Sequence, residues 1–120
     1  MFINKTQEKS MKESELLKSA TDYLSYLENM GKLVWFRNNS FQGRILRGDK
    51  SVGYIKNAKR GMPDLIVFTK YGYLCLEAKS RTGKQSENQK AFQKKIELLN
   101  GRYFIFKSFE ELEREIRASI

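Results

Sequence analysis

At 120 residues the chain has room for one hydrophobic core and not for two. It has no histidine and a single cysteine, which excludes an imidazole base, a histidine-ligated zinc site, a zinc finger and an internal disulfide. A net charge of +9 points to a polyanion, nucleic acid first, although a basic surface kept only for solubility has the same composition.

Forty per cent hydrophobic residues and one proline suit a compact fold. The first nine residues are polar and are expected to fray, leaving 10–120 as one domain. From Ser10 to Met30 the apolar positions Leu16, Leu17, Ala20, Tyr23, Leu24 and Leu27 predict a core-covering helix. Ser10 and Glu13 have the spacing of a capping box, and Gly31 is a natural stop. Leu33 to Arg37 reads as a first strand. The stretch 38–60 is irregular and basic, with Arg44, Arg47, Lys50, Lys56, Lys59 and Arg60 against Asp49, and it reads as a loop or loose hairpin. Tyr54-Ile55 has the makings of a short strand. Asp64 to Lys70 and Tyr73 to Lys79 predict a hairpin turning at Tyr71-Gly72. Ser86 with Gln89 opens a second helix, with Phe92, Ile96 and Leu99 on its inner face, and Asn100-Gly101 ends it. Arg102 to Phe106 is a strand, and Ser108 with Glu111 starts a last helix ending near Ala118. The expected order is αβ(β)ββαβα, an α/β fold whose mixed sheet is flanked by helices. The helix between Lys79 and Arg102 allows parallel pairing of its flanking strands. No segment is apolar and long enough to span a membrane, and no signal-peptide pattern opens the chain. With one cysteine, inside an apolar run, the expected setting is reducing and cytoplasmic.

The hairpin carries the chemistry. Asp64 starts one strand and Glu77 nears the end of the other, and a register in which 70 faces 71 also sets 64 against 77. Opposed carboxylates repel unless a cation lies between them. Magnesium takes hard oxygen ligands, one or two carboxylates at a time, and activates water for phosphodiester cleavage. Lys79, two residues past Glu77, shares its face and is placed to orient water or stabilise developing negative charge. The Ala78 carbonyl is placed to complete the metal shell. Glu77-Ala78-Lys79 alone is a weak signal, since an exposed hairpin with solvated charges reads the same way; joined to Gly61-Met62-Pro63-Asp64 it is stronger.

Gly61-Met62-Pro63-Asp64, twelve intervening residues and Glu77-Ala78-Lys79 resemble the PD-(D/E)xK nuclease superfamily, in the form of its VRR-NUC (virus-type replication-repair nuclease) family. Glu13-Ser14, Leu16, Asp22-Tyr23-Leu24, Gly31 and Val34-Trp35-Phe36-Arg37-Asn38-Asn39 resemble the family's opening helix and first strand, and Ser86, Gln89, Phe92 and Gly101 its later helix. The resemblance implies a restriction-endonuclease-like α/β core, Mg2+ or Mn2+ as cofactor, and DNA cleavage. It also implies similarity to homodimeric Holliday junction resolvases that act on branched DNA, and a phage or prophage origin. The 39–60 stretch departs from the family in length and sequence.

In this superfamily a first-helix glutamate often completes the metal site. On a helical wheel Glu13 falls within about 30° of the apolar direction and Glu15 more than roughly 100° from it. Glu13 is therefore the candidate metal residue, against the reading in which it only closes the Ser10 box. Gln89 either bonds Lys79 or a metal-bound water, or closes the box with Ser86. Asn38 and Asn39 either meet phosphate or shape a turn. Trp35, Phe36 and the aromatics of 102–106 read as core rather than as base-stacking platforms. Asn38, Arg44, Arg47, Lys59, Arg60 and Lys84 are the candidate nucleic-acid contacts, each otherwise an ordinary solvated residue. The expected activity is metal-dependent DNA endonuclease, with Asp64, Glu77, Lys79 and Gln89 catalytic and Glu13, Asp64, Glu77 and Ala78 holding the metal. The alternatives are a binding module with the same fold and an RNA-directed nuclease.

Overall fold

The computed structural model describes residues 12–38, 43–46, 52–55 and 60–120. The expected frayed segment 1–9 and the proposed cap Ser10 lie outside them, as do Asn39, Arg47 and Lys59. The element order is α1 (Glu13–Asn29), β1 (Val34–Arg37), β2 (Gly43–Leu46), β3 (Val52–Ile55), β4 (Leu65–Thr69), β5 (Gly72–Ala78), α2 (Glu87–Leu98), β6 (Arg102–Phe106) and α3 (Phe109–Ser119). The main sheet has the order β1-β4-β5-β6. Its β1–β4 and β4–β5 pairs are antiparallel, while β5–β6 is parallel with α2 as the crossover. The irregular basic stretch contains a hairpin of its own, β2 pairing antiparallel with β3.

The sheet's two faces follow the strand period of two. Leu65 and Val67 of β4, Leu74, Leu76 and Ala78 of β5 and Phe106 of β6 point to one face, where Leu16, Ala20, Leu24 and Leu27 of α1 and Leu112 and Ile116 of α3 close the core. Trp35 and Phe104 pack on its margin. Phe36, on the other face of the edge strand β1, is 59% exposed and stands edge-on to Phe68 instead of entering the core. Alternation along β1 forces this outcome, because Trp35 takes the inward position.

Helix α1 begins later than the capping-box spacing predicts. Lys12 is its N-cap with no side-chain cap bond, so Glu13 is the first helical residue and cannot occupy the third position that such a box needs. The C-terminus ends as expected. Gly31 adopts φ +73, its N–H donates to Glu28 O, and the Lys32 N–H donates to Leu27 O. Helix α2 opens with the full capping box: Ser86 Oγ accepts from Gln89 N, and Gln89 Oε1 accepts from Ser86 N. It ends on Asn100 at φ 62, with the Gly101 N–H donating to Ile96 O. Gly101 serves a different need, since a Cβ there would overlap the Tyr73 hydroxyl and the Ile96 side chain. Leu99, expected on the inner face, is the C-cap residue and 76% exposed. Ser108 Oγ accepts from Glu111 N to start α3.

Candidate functional site

The hairpin β4–β5 turns through Lys70 and Tyr71, one residue earlier than the expected Tyr71-Gly72, since Gly72 already pairs with Thr69 as the first residue of β5. Its register pairs Leu65 with Leu76. Asp64, expected to begin this strand, lies one residue before it, and extending the register one step sets it opposite Glu77 on the sheet face away from the main core. The ladders on both flanks run past the strand ends here. Asn38 N donates to Asp64 O at 2.8 Å, and Lys79 N donates to Phe106 O at 3.0 Å. Backbone bonds thus fix the chain on either side of Asp64 and Glu77 before any side chain is considered.

Gly61 explains how the Gly-Met-Pro-Asp turn reaches this place. Its φ is +80, and a Cβ would overlap the backbone carbonyl of Asn88 in the first turn of α2. The turn therefore lies backbone to backbone against the start of α2. Pro63 is buried, and extending the Leu65–Leu76 register two steps past the end of β4 sets it opposite Ala78. The Ala78 N–H turns towards the β4 side, where it donates to Asp64 Oδ2 at 2.8 Å. Its carbonyl turns the same way, as strand geometry requires. Proline has no N–H to give it, so the ladder bond an ordinary residue would make to Ala78 O has no donor.

Glu77 is fully buried. Its Oε1 accepts from the Tyr103 hydroxyl, while Oε2 has no hydrogen-bond partner. Lys79 Nζ lies 4.0 Å from that oxygen and also 4.0 Å from Glu13 Oε1, so one ammonium stands between two carboxylates. The Lys79 side chain is 12% exposed and that of Glu13 45%. Burial pushes the Glu77 carboxyl above the ordinary glutamate range; the Tyr103 hydrogen bond and the Lys79 ammonium oppose the shift, Asp64 adds to it, and Gln85 opposes it. Burial also raises Asp64, against the Ala78 N–H, Lys79 and Arg37. Two carboxyls that resist ionisation side by side favour a cation between them.

Among the described residues no three acidic or cysteine side chains are gathered tightly enough to hold a metal ion. The oxygens available as donors are those of Asp64, which acts on Glu77 through its charge, Glu77 Oε2 and, by strand geometry, the Ala78 carbonyl. All are hard oxygens, and the unpartnered buried Oε2 is the atom a cation would satisfy, so this set fits a magnesium-type ion that keeps its remaining ligands as water. Glu13 joins the group through Lys79.

The remaining candidates divide by position. Gln89 spends its carbonyl oxygen on the cap of α2, as the capping reading expects. Gln85, passed over in the sequence, is the glutamine beside Glu77; its amide Nε2 donates to Gln93 Oε1 at 2.9 Å. Tyr103 was also missed. Its signal was the alternation of β6, in which Phe104 and Phe106 take the core face and leave Tyr103 on the face of Cys75 and Glu77. Asn38 is half-buried at the end of β1, and Arg60 and Lys84 are exposed. Arg44 lies in β2. No protein-family model, curated protein or solved structure matches the chain.

Proposed function

We propose that the chain is a Mg2+- or Mn2+-dependent DNA endonuclease of the VRR-NUC type, acting as a homodimer on branched, resolvase-type substrates. One observation carries this reading. A fully buried glutamate has one oxygen without a hydrogen bond, near an aspartate and 4.0 Å from a lysine ammonium, in a chain of net charge +9. A carboxylate in that position is costly to a fold and gains its use from a cation.

In this reading Asp64, Glu77 and the Ala78 carbonyl hold the ion, which when bound neutralises phosphate charge and acidifies water. The Lys79 ammonium, held between Glu13 and Glu77, orients the attacking water and stabilises the negative charge that develops on the phosphate. Glu13 fixes that ammonium and acts on the ion only through it or through water. Water attacks phosphorus in line as the P–O3′ bond breaks, its proton passes to solvent, and the departing 3′-oxygen takes one from solvent, leaving a 5′-phosphate and a 3′-hydroxyl. Arg60, Lys84 and the basic 39–60 stretch hold the backbone phosphates.

A binding module without cleavage is the second reading, favoured by the pairing of Glu13 with Lys79 and the lack of a three-carboxylate group among the described residues. Labelled four-way junction, flap and linear duplex DNA, with matched RNA, incubated with Mg2+, Mn2+ or EDTA, separate the readings. Metal-dependent cutting that falls at least about 100-fold in Asp64→Asn and Lys79→Ala is the expected result. Tight binding with no products in either metal would leave the binding module standing.

A further inference from the structure

Tyr103 donates its hydroxyl to Glu77 Oε1, and it reaches it from another strand, while Gln85 lies beside the same carboxylate. The parallel register pairs Cys75 with Tyr103 and Glu77 with Ile105, so the tyrosine side chain leans one step along the sheet to meet the carboxylate. Its hydroxyl occupies Oε1, which leaves Oε2 as the oxygen turned towards Lys79. The ring is half-buried and its strand is fixed on β5 over five register pairs, so the hydroxyl has little freedom to follow Glu77 elsewhere. A carboxylate free to rotate would present either oxygen, or both, to an ion; a pinned one presents a single oxygen in a single direction.

We propose that Tyr103 is a positioning residue that selects the metal-facing oxygen of Glu77, an inference that rests on the nuclease reading above. Tyr103 touches neither the ion nor the phosphate; it acts through Glu77 alone. Outer partners of metal-bound carboxylates change affinity by about 10–100-fold when removed. Tyr103→Phe deletes the hydroxyl and keeps the ring, so it separates positioning from packing.

The test is calorimetric titration of Mn2+ into wild type, Tyr103→Phe, Glu77→Gln and the double variant. Expected are at least roughly tenfold weaker Mn2+ binding in Tyr103→Phe, a matching rise in the Mn2+ concentration for half-maximal cleavage, and no further loss from Tyr103→Phe in the Glu77→Gln background. A tyrosine that only filled space or only stabilised the fold would leave Mn2+ affinity unchanged. That result, with binding still lost in Glu77→Gln, overturns the positioning role and leaves the metal site intact. Wild type that takes up no Mn2+ overturns the nuclease reading and the Tyr103 role with it. Should Tyr103→Phe fail to fold, ring-labelled tyrosine in the wild-type chain carries the test by NMR. The Tyr103 resonance shifts when Mg2+ is added, and one that does not move overturns the proposal.

Discussion

Glu77 is expensive to the fold whenever it is charged without a cation, and that sets a pH dependence with a definite sign. Its carboxyl and that of Asp64 are raised from ordinary values of 4.5 and 3.8, mainly by burial. The folded chain therefore keeps those protons at pH values where the unfolded chain has lost them, and stability falls as pH rises through that window. In EDTA, Glu77→Gln should melt above wild type at pH 7, and the gap should close as pH falls towards 4.5. Each kcal/mol moves a midpoint by about 4 °C in a domain of this size, so the gap is measurable by thermal melts; one independent of pH would refute the assignment. Mg2+ should raise the midpoint of wild type and leave that of the variant alone. Cys75 gives a simpler prediction on the same face. It is buried and its thiol is pushed up to about 11, so it should resist alkylation in the native chain at neutral pH and react once the chain is unfolded in urea.

The start of α2 is the element on which the site geometry depends, because the Gly61 turn lies against it and Gln85 precedes it. Ser86→Ala removes one half of the capping box and should cost about 1 kcal/mol in urea denaturation. Gly61→Ala should cost about 2 kcal/mol or more, since the new Cβ meets the Asn88 carbonyl in a backbone conformation that side chains avoid. Gly31→Ala is the control, with the same sign of φ and open space around it, and should cost nearer 1 kcal/mol. Equal costs at the two glycines would mean that the turn and the helix are not in contact. How far these elements are legible in the sequence depends on how local their causes are. The register that brings Asp64 towards Glu77 is legible only to within a residue or two, because a turn at Tyr71-Gly72 would set 64 against 79, whereas the observed Lys70-Tyr71 turn pairs Leu65 with Leu76. The Tyr103–Glu77 bond is not, because a crossover helix separates the strands and leaves their parallel register open. The two glutamines show a similar limit: Gln85 and Gln89 flank Ser86, and only the direction of the helix decides which carboxamide closes the cap and which lies beside Glu77. Phe36 reads as core from its composition, yet it sits on an edge strand beside Trp35, and the alternation admits only one of the two.

Charge acts over the whole molecule, and there the nuclease and binding-module readings predict the same behaviour while metal binding separates from it. The chain carries 23 lysine and arginine residues against 14 acids, and among them Arg37, Arg60, Lys84 and Lys107 are exposed. If the positive surplus meets a DNA backbone, log affinity should fall linearly with log salt, with a slope of about 0.9 for each phosphate neutralised on duplex. A lysine that touches one phosphate then has a recognisable signature. Lys84→Ala should reduce the slope by about 1 and weaken binding evenly across unrelated sequences. It should leave Mn2+ affinity at the wild-type value, because Lys84 lies outside the Asp64–Glu77 pair and its exposed charge is screened from that pair by solvent and salt. Lys79→Ala should do the reverse. Its ammonium is largely buried between Glu13 and Glu77, so its loss should change the metal site and cleavage while leaving the salt slope almost unaltered. Fluorescence anisotropy of labelled duplex across a salt series, run beside Mn2+ calorimetry on both variants, reads the two effects separately. Both variants changing both quantities together would mean that the basic surface and the buried carboxylates are one coupled unit, and would refute the division of labour argued from their burial.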